Sequence, residues 1–218
     1  MKTLAINSQK GGAGKTTLAL NLASAAEAVG EVAVVIDLDP QASAKGWHDH
    51  RQKETPVIIS AQATRLPDVL VTALQHGADV CIIDTAPHSE QAALTAARAA
   101  DLVIIPCRPG ILDIRGISAS VDLVQLAKRP ALIVLNAVPP RGSLGDQAEE
   151  AVGSYEIPIA STRLSHRAAF YHSLTAGQTV LEYEPEGAAA EEVKALYSEI
   201  RKHAGMITRN RVTDRKTA

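Results

Sequence analysis

Seven short apolar runs, separated by longer alanine-rich stretches, restrict this chain to few architectures. Residues 3–7, 32–37, 57–60, 80–84, 102–106, 131–136 and 157–160 each have the length of a strand, and most are near-continuous in Val, Ile and Leu. A strand with one wet face alternates apolar and polar side chains, so runs without alternation belong to strands covered on both faces. Residues 16–28, 90–99, 117–128 and 147–153 read as helices. This βαβ alternation predicts an α/β fold, a doubly wound, mostly parallel sheet flanked by helices. A last helix is expected over roughly 188–203, where Val193, Leu196, Tyr197 and Ile200 recur at helical spacing as a core-facing stripe. At 218 residues and 46% apolar, the chain can bury one substantial core without staples. It reads as one domain over 1–203 followed by a basic, flexible tail over 204–218.

No apolar run approaches the roughly 18 to 20 residues of a membrane span, and the first strand leads straight into a polar loop, which is not the pattern of a leader peptide. A cytoplasmic location is expected. Cys81 and Cys107 lie inside apolar runs without metal-ligand spacing, as suits buried, reduced thiols. The net charge of −2 hides an asymmetry: residues 201–218 hold six Lys/Arg against one Asp, a balance of +5 that leaves −7 on the remainder. Such a tail is either an electrostatic foot for nucleic acid or a frayed helix end whose cations complement the helix dipole. His48-Asp49-His50 is expected in a solvated turn, and Tyr155, Tyr171, Tyr183 and Tyr197 are expected to pack.

The chemistry concentrates after the first strand. Ser8-Gln9-Lys10-Gly11-Gly12-Ala13-Gly14-Lys15-Thr16-Thr17 joins that strand to a helix, the context a P-loop requires. Gly11, Gly12, Ala13 and Gly14 let backbone N–H groups curl around phosphate oxygens at a helix N-terminus. Lys15 is placed to reach the β- and γ-phosphates, with Thr17 at the rim, and the Thr16 hydroxyl is placed to bind Mg²⁺. The common motif has glycine where Gln9 stands, and here a second lysine, Lys10, opens the loop. Two further strands end in acids: Asp37 and Asp39 on alternate positions, and Asp84 closing residues 80–84. Ligands bind at strand ends in such sheets, so with the P-loop beside them Thr16, Asp37 and Asp84 form the candidate Mg²⁺ set, Asp84 for the ion or its water, while either strand-end acid taken singly could instead cap a helix.

Lys10 to Thr17, Asp37 to Gln41 and Asp84 to Pro87 resemble the deviant Walker A, Walker A-prime and Walker B motifs of the ParA/MinD family, in their usual order. Residues 102–106 with Pro109 and Asp113 resemble that family's dimer face, and Leu135-Asn136 its adenine-side strand end. The resemblance implies an ATPase with ATP and Mg²⁺ as cofactors, acting as an ATP-loaded homodimer. It implies that Lys10 crosses to the partner subunit's phosphates, Lys15 serves its own nucleotide and Asp39 orients the attacking water.

Three readings stand within that resemblance. One is a nucleoid-associated DNA-partition ATPase that binds nonspecific DNA and is stimulated by a ParB-like, centromere-binding adaptor. Another is a MinD-like membrane-surface switch. The third is a metabolic ligase or reductase component. A membrane anchor needs bulky apolar residues opposing lysines, and residues 205–218 offer only Met206, Ile207 and Val212. Arg163, Arg167, Arg201 and Lys202 are the candidate DNA contacts, by phosphate and not by stacking, since aromatics are only 3% of the chain. The first strand begins at residue 3, so no helix-turn-helix domain is expected ahead of it.

Overall fold

A computed structural model describes residues 1–87 and 89–206. The basic residues Arg209, Arg211, Arg215 and Lys216 lie outside them. Six parallel strands form one sheet: β1 (Lys2–Ile6), β2 (Ala33–Asp37), β3 (Val57–Ser60), β4 (Val80–Asp84), β5 (Leu102–Cys107) and β6 (Ala131–Leu135), in the order β3-β2-β4-β1-β5-β6. Strands β2, β4, β5 and β6 are buried at every residue, while the edge strand β3 is exposed at Val57 and Ser60, buried at Ile58 and half-buried at Ile59. Lack of alternation therefore marks the covered strands β2, β4, β5 and β6, but not β3, whose run Val57-Ile58-Ile59 lies on a half-exposed edge.

Alternate residues of each strand feed two cores. Leu4, Ile6, Val35, Ile82 and Ile104 face α1 (Lys15–Ala28) and α10 (Ala188–His203), whose Val193, Leu196, Tyr197 and Ile200 are all buried. Ala5, Ile36, Ile83, Val103 and Ile105 face the opposite core, which takes Ala93, Ala96 and Ala97 of α4 (Glu90–Ala99) and Val121 and Val124 of α6 (Ser118–Ala127). Cys81 and Cys107 are free and buried, and burial pushes both thiols up to about 12. Among the described residues no helix is long and apolar enough to cross a membrane.

Three local expectations change. Residues 157–160 form no strand of the sheet; they contribute one bridge, Ile133 to Ile159, with Ile133 N–H donating to Pro158 O at 2.9 Å. Pro158 has no N–H to give a ladder, which confines the segment to a single bridge at the β6 edge. The helix expected over 117–128 is α6, and a further short helix not expected from sequence, α5 (Ile111–Gly116), precedes it. His48 and His50 end α2 (Ser43–His50) and are not in a turn. Residues 204–206 close α10, with Ala204 buried and Met206 N–H donating to Arg201 O at 2.8 Å.

Candidate nucleotide-binding site

Strand register assembles the site. Asp84 lies beside Ile6 on one side and beside Asp37 on the other, so the ends of β1, β4 and β2 stand in a row where the P-loop leaves the sheet. Asp37 and Asp84 fall on the strand positions that face α1, the helix the loop opens. Gly12 and Gly14 take φ of 76° and 90°, a region costly for any residue with a Cβ. At Gly14 a Cβ would also lie 2.4 Å from Asn136 Nδ2. Asn136 donates from that nitrogen to Ala13 O at 2.8 Å, so it braces the loop while lining the cavity beside it.

The two lysines point to different places. Lys15 is 7% exposed, and its Nζ donates to Ser8 O at 3.0 Å across the loop. Burial holds its pKa below the usual lysine value, opposed by the charges of Asp84 and Asp39. Lys10 turns outward: its Nζ lies 2.8 Å from Asp113 Oδ1 on α5.

Thr16 Oγ1 donates to Asp84 Oδ2 at 2.6 Å, while Asp84 Oδ1 is buried without a hydrogen-bond partner. Burial pushes the Asp84 carboxyl up to about 7, against the pull of Thr16 and Lys15. A hydroxyl and an unshared carboxylate oxygen are the hard donors Mg²⁺ prefers, and a dication there would repay the cost of the buried charge. The pair fits the ion.

Asp37 and Asp39, projected to one side by strand alternation, part ways where β2 ends. Asp37 Oδ1 accepts from Asp39 N–H at 3.0 Å, and its Oδ2 from Ala44 and Lys45 N–H at 3.0 and 3.3 Å. Ala42, in the left-handed region, offers α2 no side-chain cap, and Asp37 supplies it instead. Both Asp37 oxygens thus anchor the helix, with Oδ1 accepting a single bond, and the Mg²⁺ role expected of Asp37 stays an expectation. Asp39 is half-buried and lines a cleft of about 410 Å³ with Gly12, Lys15, Thr16 and Trp47, where phosphates would lie.

A second cavity of about 240 Å³ opens on the other side of Gly12 and Gly14, lined by Arg108, His166, Phe170 and Tyr171 among others. The Arg108 Nε is buried without a partner, and His166 and Tyr171 meet edge to face with centroids 5.9 Å apart. Tyr171 is 57% exposed and so is not the packing residue expected from sequence; Tyr183, at 39%, departs likewise. No contiguous motif signals this wall, which comes from β5's exit, from the segment leading into α8 (Ala168–Thr175) and from Phe170 and Tyr171 of that helix.

The candidate DNA contacts are brought onto one assembly but are largely engaged. Glu199 and Glu192 of α10 accept N–H donors from Ser161, Thr162 and Ser165, which fastens the arginine segment along that helix. Arg163 pairs with Asp146 at 2.7 Å and with Glu149. Arg167 pairs with Glu192 at 2.7 Å and Arg201 with Glu31 at 2.9 Å. Lys202 is exposed.

Fold and loop together define a doubly wound P-loop nucleotide-binding protein. Residues 4–180 match the family described as the CobQ/CobB/MinD/ParA nucleotide binding domain, and the chain belongs to that family as a ParA/MinD-type member. It is 26% identical over 209 residues to the maintenance of carboxysome distribution protein A of Halothiobacillus neapolitanus, covering 91% of this chain and 95% of that protein. It is 24% identical over 237 residues to the chromosome-partitioning ATPase Soj of Thermus thermophilus, covering 92% and 95%. The septum site-determining protein MinD of Pyrococcus horikoshii, solved with Mg-ADP, superposes with a TM-score of 0.77 over 94% of this chain and 97% of that one, at 19% identity.

Proposed function

We propose that this chain is a ParA-type positioning ATPase, with ATP and Mg²⁺ as cofactors, that binds nonspecific DNA of the nucleoid as an ATP-loaded homodimer. A cargo-bound adaptor, in the role of a ParB-like protein, stimulates hydrolysis and releases it. The observation that carries this reading is the division between the two lysines: Lys15 buried inside its own loop, Lys10 directed away from it onto the molecular surface. A lysine so placed suits a nucleotide held by a second subunit, which makes completion of the site depend on dimerisation. The relatives named for chromosome partitioning and carboxysome distribution, each matched along nearly its whole length, favour this reading over a ligase.

Phosphoryl transfer needs positioning and charge neutralisation more than covalent chemistry. Gly11 to Thr17 cradle the phosphates with backbone N–H groups, and Lys15 neutralises them. Thr16 and Asp84 hold Mg²⁺, which when bound offsets charge between the phosphates. Asp39 orients the attacking water, Arg108 and Tyr171 flank the base, and Asn136 fixes the loop between base and phosphate sites. Lys202 and the segment fastened to α10 present the DNA surface, where Arg163, Arg167 and Arg201 exchange carboxylate partners for phosphates.

Electrophoretic shift of random-sequence DNA with ATP, ADP and no nucleotide tests this. ATP alone should support binding, with log affinity falling linearly against log salt and the slope shrinking by about 0.9 for each phosphate contact removed, as in Lys202→Ala. Equal binding in all three states, or none in any, refutes the switched DNA motor.

A further inference from the structure

The ion pair between Lys10 and Asp113 lies within one chain, yet Lys10 is the residue proposed to act on another. We propose that Asp113 is a positioning residue that parks Lys10 on its own chain, so that this pair must part before a second copy can be engaged. The inference rests on the reading that Lys10 serves a partner subunit.

The parking place is shaped at both ends. At the head, Lys10 Nζ sits 2.8 Å from Asp113 Oδ1, with the side chains 36% and 26% exposed, so the pair is partly withdrawn from water. The carboxylate is itself fixed: its Oδ2 turns back onto Gly110, where a Cβ would come within 2.9 Å, and Asp113 N–H donates to Gly110 O at 2.9 Å. Along the stem, a Cβ on Gly116 would lie 3.2 Å from Lys10 Cδ, so the aliphatic chain rests against bare backbone at the end of α5. Two positions of one short helix thus receive a single lysine, and the cap of that helix seats the carboxylate.

Charge arithmetic gives the consequence. An ammonium paired with its own carboxylate carries little net attraction for a phosphate on another molecule, and releasing it costs that pair. On α5, Ile111 and Leu112 stand 59% and 70% exposed. Burying these against a second copy supplies apolar stabilisation that offsets the lost pair. Dimerisation is thereby made conditional: the lysine leaves Asp113 only when the second copy, with its phosphates, is already in place.

Asp113→Asn keeps the shape of the side chain and removes its charge. Because partly exposed ion pairs contribute about 0.2 to 1 kcal/mol each and two part in each dimer, dimerisation with a non-hydrolysable ATP analogue should tighten about two- to thirtyfold, which is about 0.4 to 2 kcal/mol. Gly116→Ala leaves both charges intact but crowds the stem, and should tighten the dimer to a smaller degree. Sedimentation velocity over a concentration series reads both. The double-mutant cycle separates a positioning role from a merely structural one: in a Lys10→Ala background, Asp113→Asn should produce no tightening. If wild type dimerises and Asp113→Asn is no tighter, or if it tightens without Lys10, the parking role is wrong. A wild-type chain that stays monomeric with the analogue refutes the dimer reading itself and this inference with it.

Discussion

Asp84→Asn, studied without divalent cation or nucleotide, isolates the cost of the buried charge at the phosphate site. The Asp84 carboxyl moves from 3.8 up to about 7, chiefly because burial penalises its ionised form. The folded state therefore holds this proton more tightly than the unfolded state between about pH 4 and pH 7. The stabilisation is full below that window and lost as pH rises through it. At 1.36 kcal/mol per unit, the full span is about 4 kcal/mol, and the part falling between pH 5 and pH 8 is on the order of 3 kcal/mol. Asparagine still accepts the Thr16 hydroxyl but cannot ionise. Urea unfolding at pH 5 and pH 8, in a chelator, should show wild type losing on the order of 3 kcal/mol more than Asp84→Asn. Equal losses would mean that Asp84 carries no burial penalty, and the argument that a dication repays it would fall.

Three further outcomes follow from the same geometry. Lys15→Ala removes the one ammonium inside the loop and should weaken Mg-ATP binding at least about 100-fold, roughly 3 kcal/mol by calorimetry. Asp39→Ala leaves the cradle whole, so it should accumulate an ATP-bound dimer with hydrolysis suppressed in a single-turnover assay; normal turnover would move the water-orienting role elsewhere. Gly14→Ala meets both a left-handed backbone and Asn136 Nδ2 at 2.4 Å, and should lower nucleotide affinity about tenfold or more while costing about 1 to 3 kcal/mol in stability.

What could be read in advance was contiguous. The loop from Lys10 to Thr17, and the acids closing β2 and β4, needed only the strand periodicity to be placed side by side. What could not be read depended on partners outside each motif. Asp37 was legible as a candidate ligand beside Asp39, but not as the anchor of α2, which begins at a residue that cannot cap it and draws the carboxylate into that task. Arg163 and Arg167 were legible as candidate DNA contacts, but their partners Asp146, Glu149 and Glu192, on α7 (Leu144–Gly153) and α10, were not. The base-side wall of Arg108, Phe170 and Tyr171 joins segments about 60 residues apart, beyond any local pattern. Residues 157–160 passed as a strand because apolar content outweighed one proline. Helix α5 was missed because Pro109-Gly110 marked only a loop, although its acid at 113 is the residue that meets Lys10.

Whether Lys10 acts across the subunit boundary is tested most directly by mixing two inactive variants. Lys10→Ala and Asp39→Ala are combined before nucleotide is added, so that mixed dimers form. In each mixed dimer one site has its own Asp39 and receives Lys10 from the partner, while the other site lacks both. Random assortment makes half the dimers mixed with one complete site each, so hydrolysis should rise to about a quarter of the wild-type rate, well above the sum of the separate variants. If Lys10 serves its own nucleotide, no site in the mixture is complete, and a rate no higher than that sum contradicts the sandwich dimer.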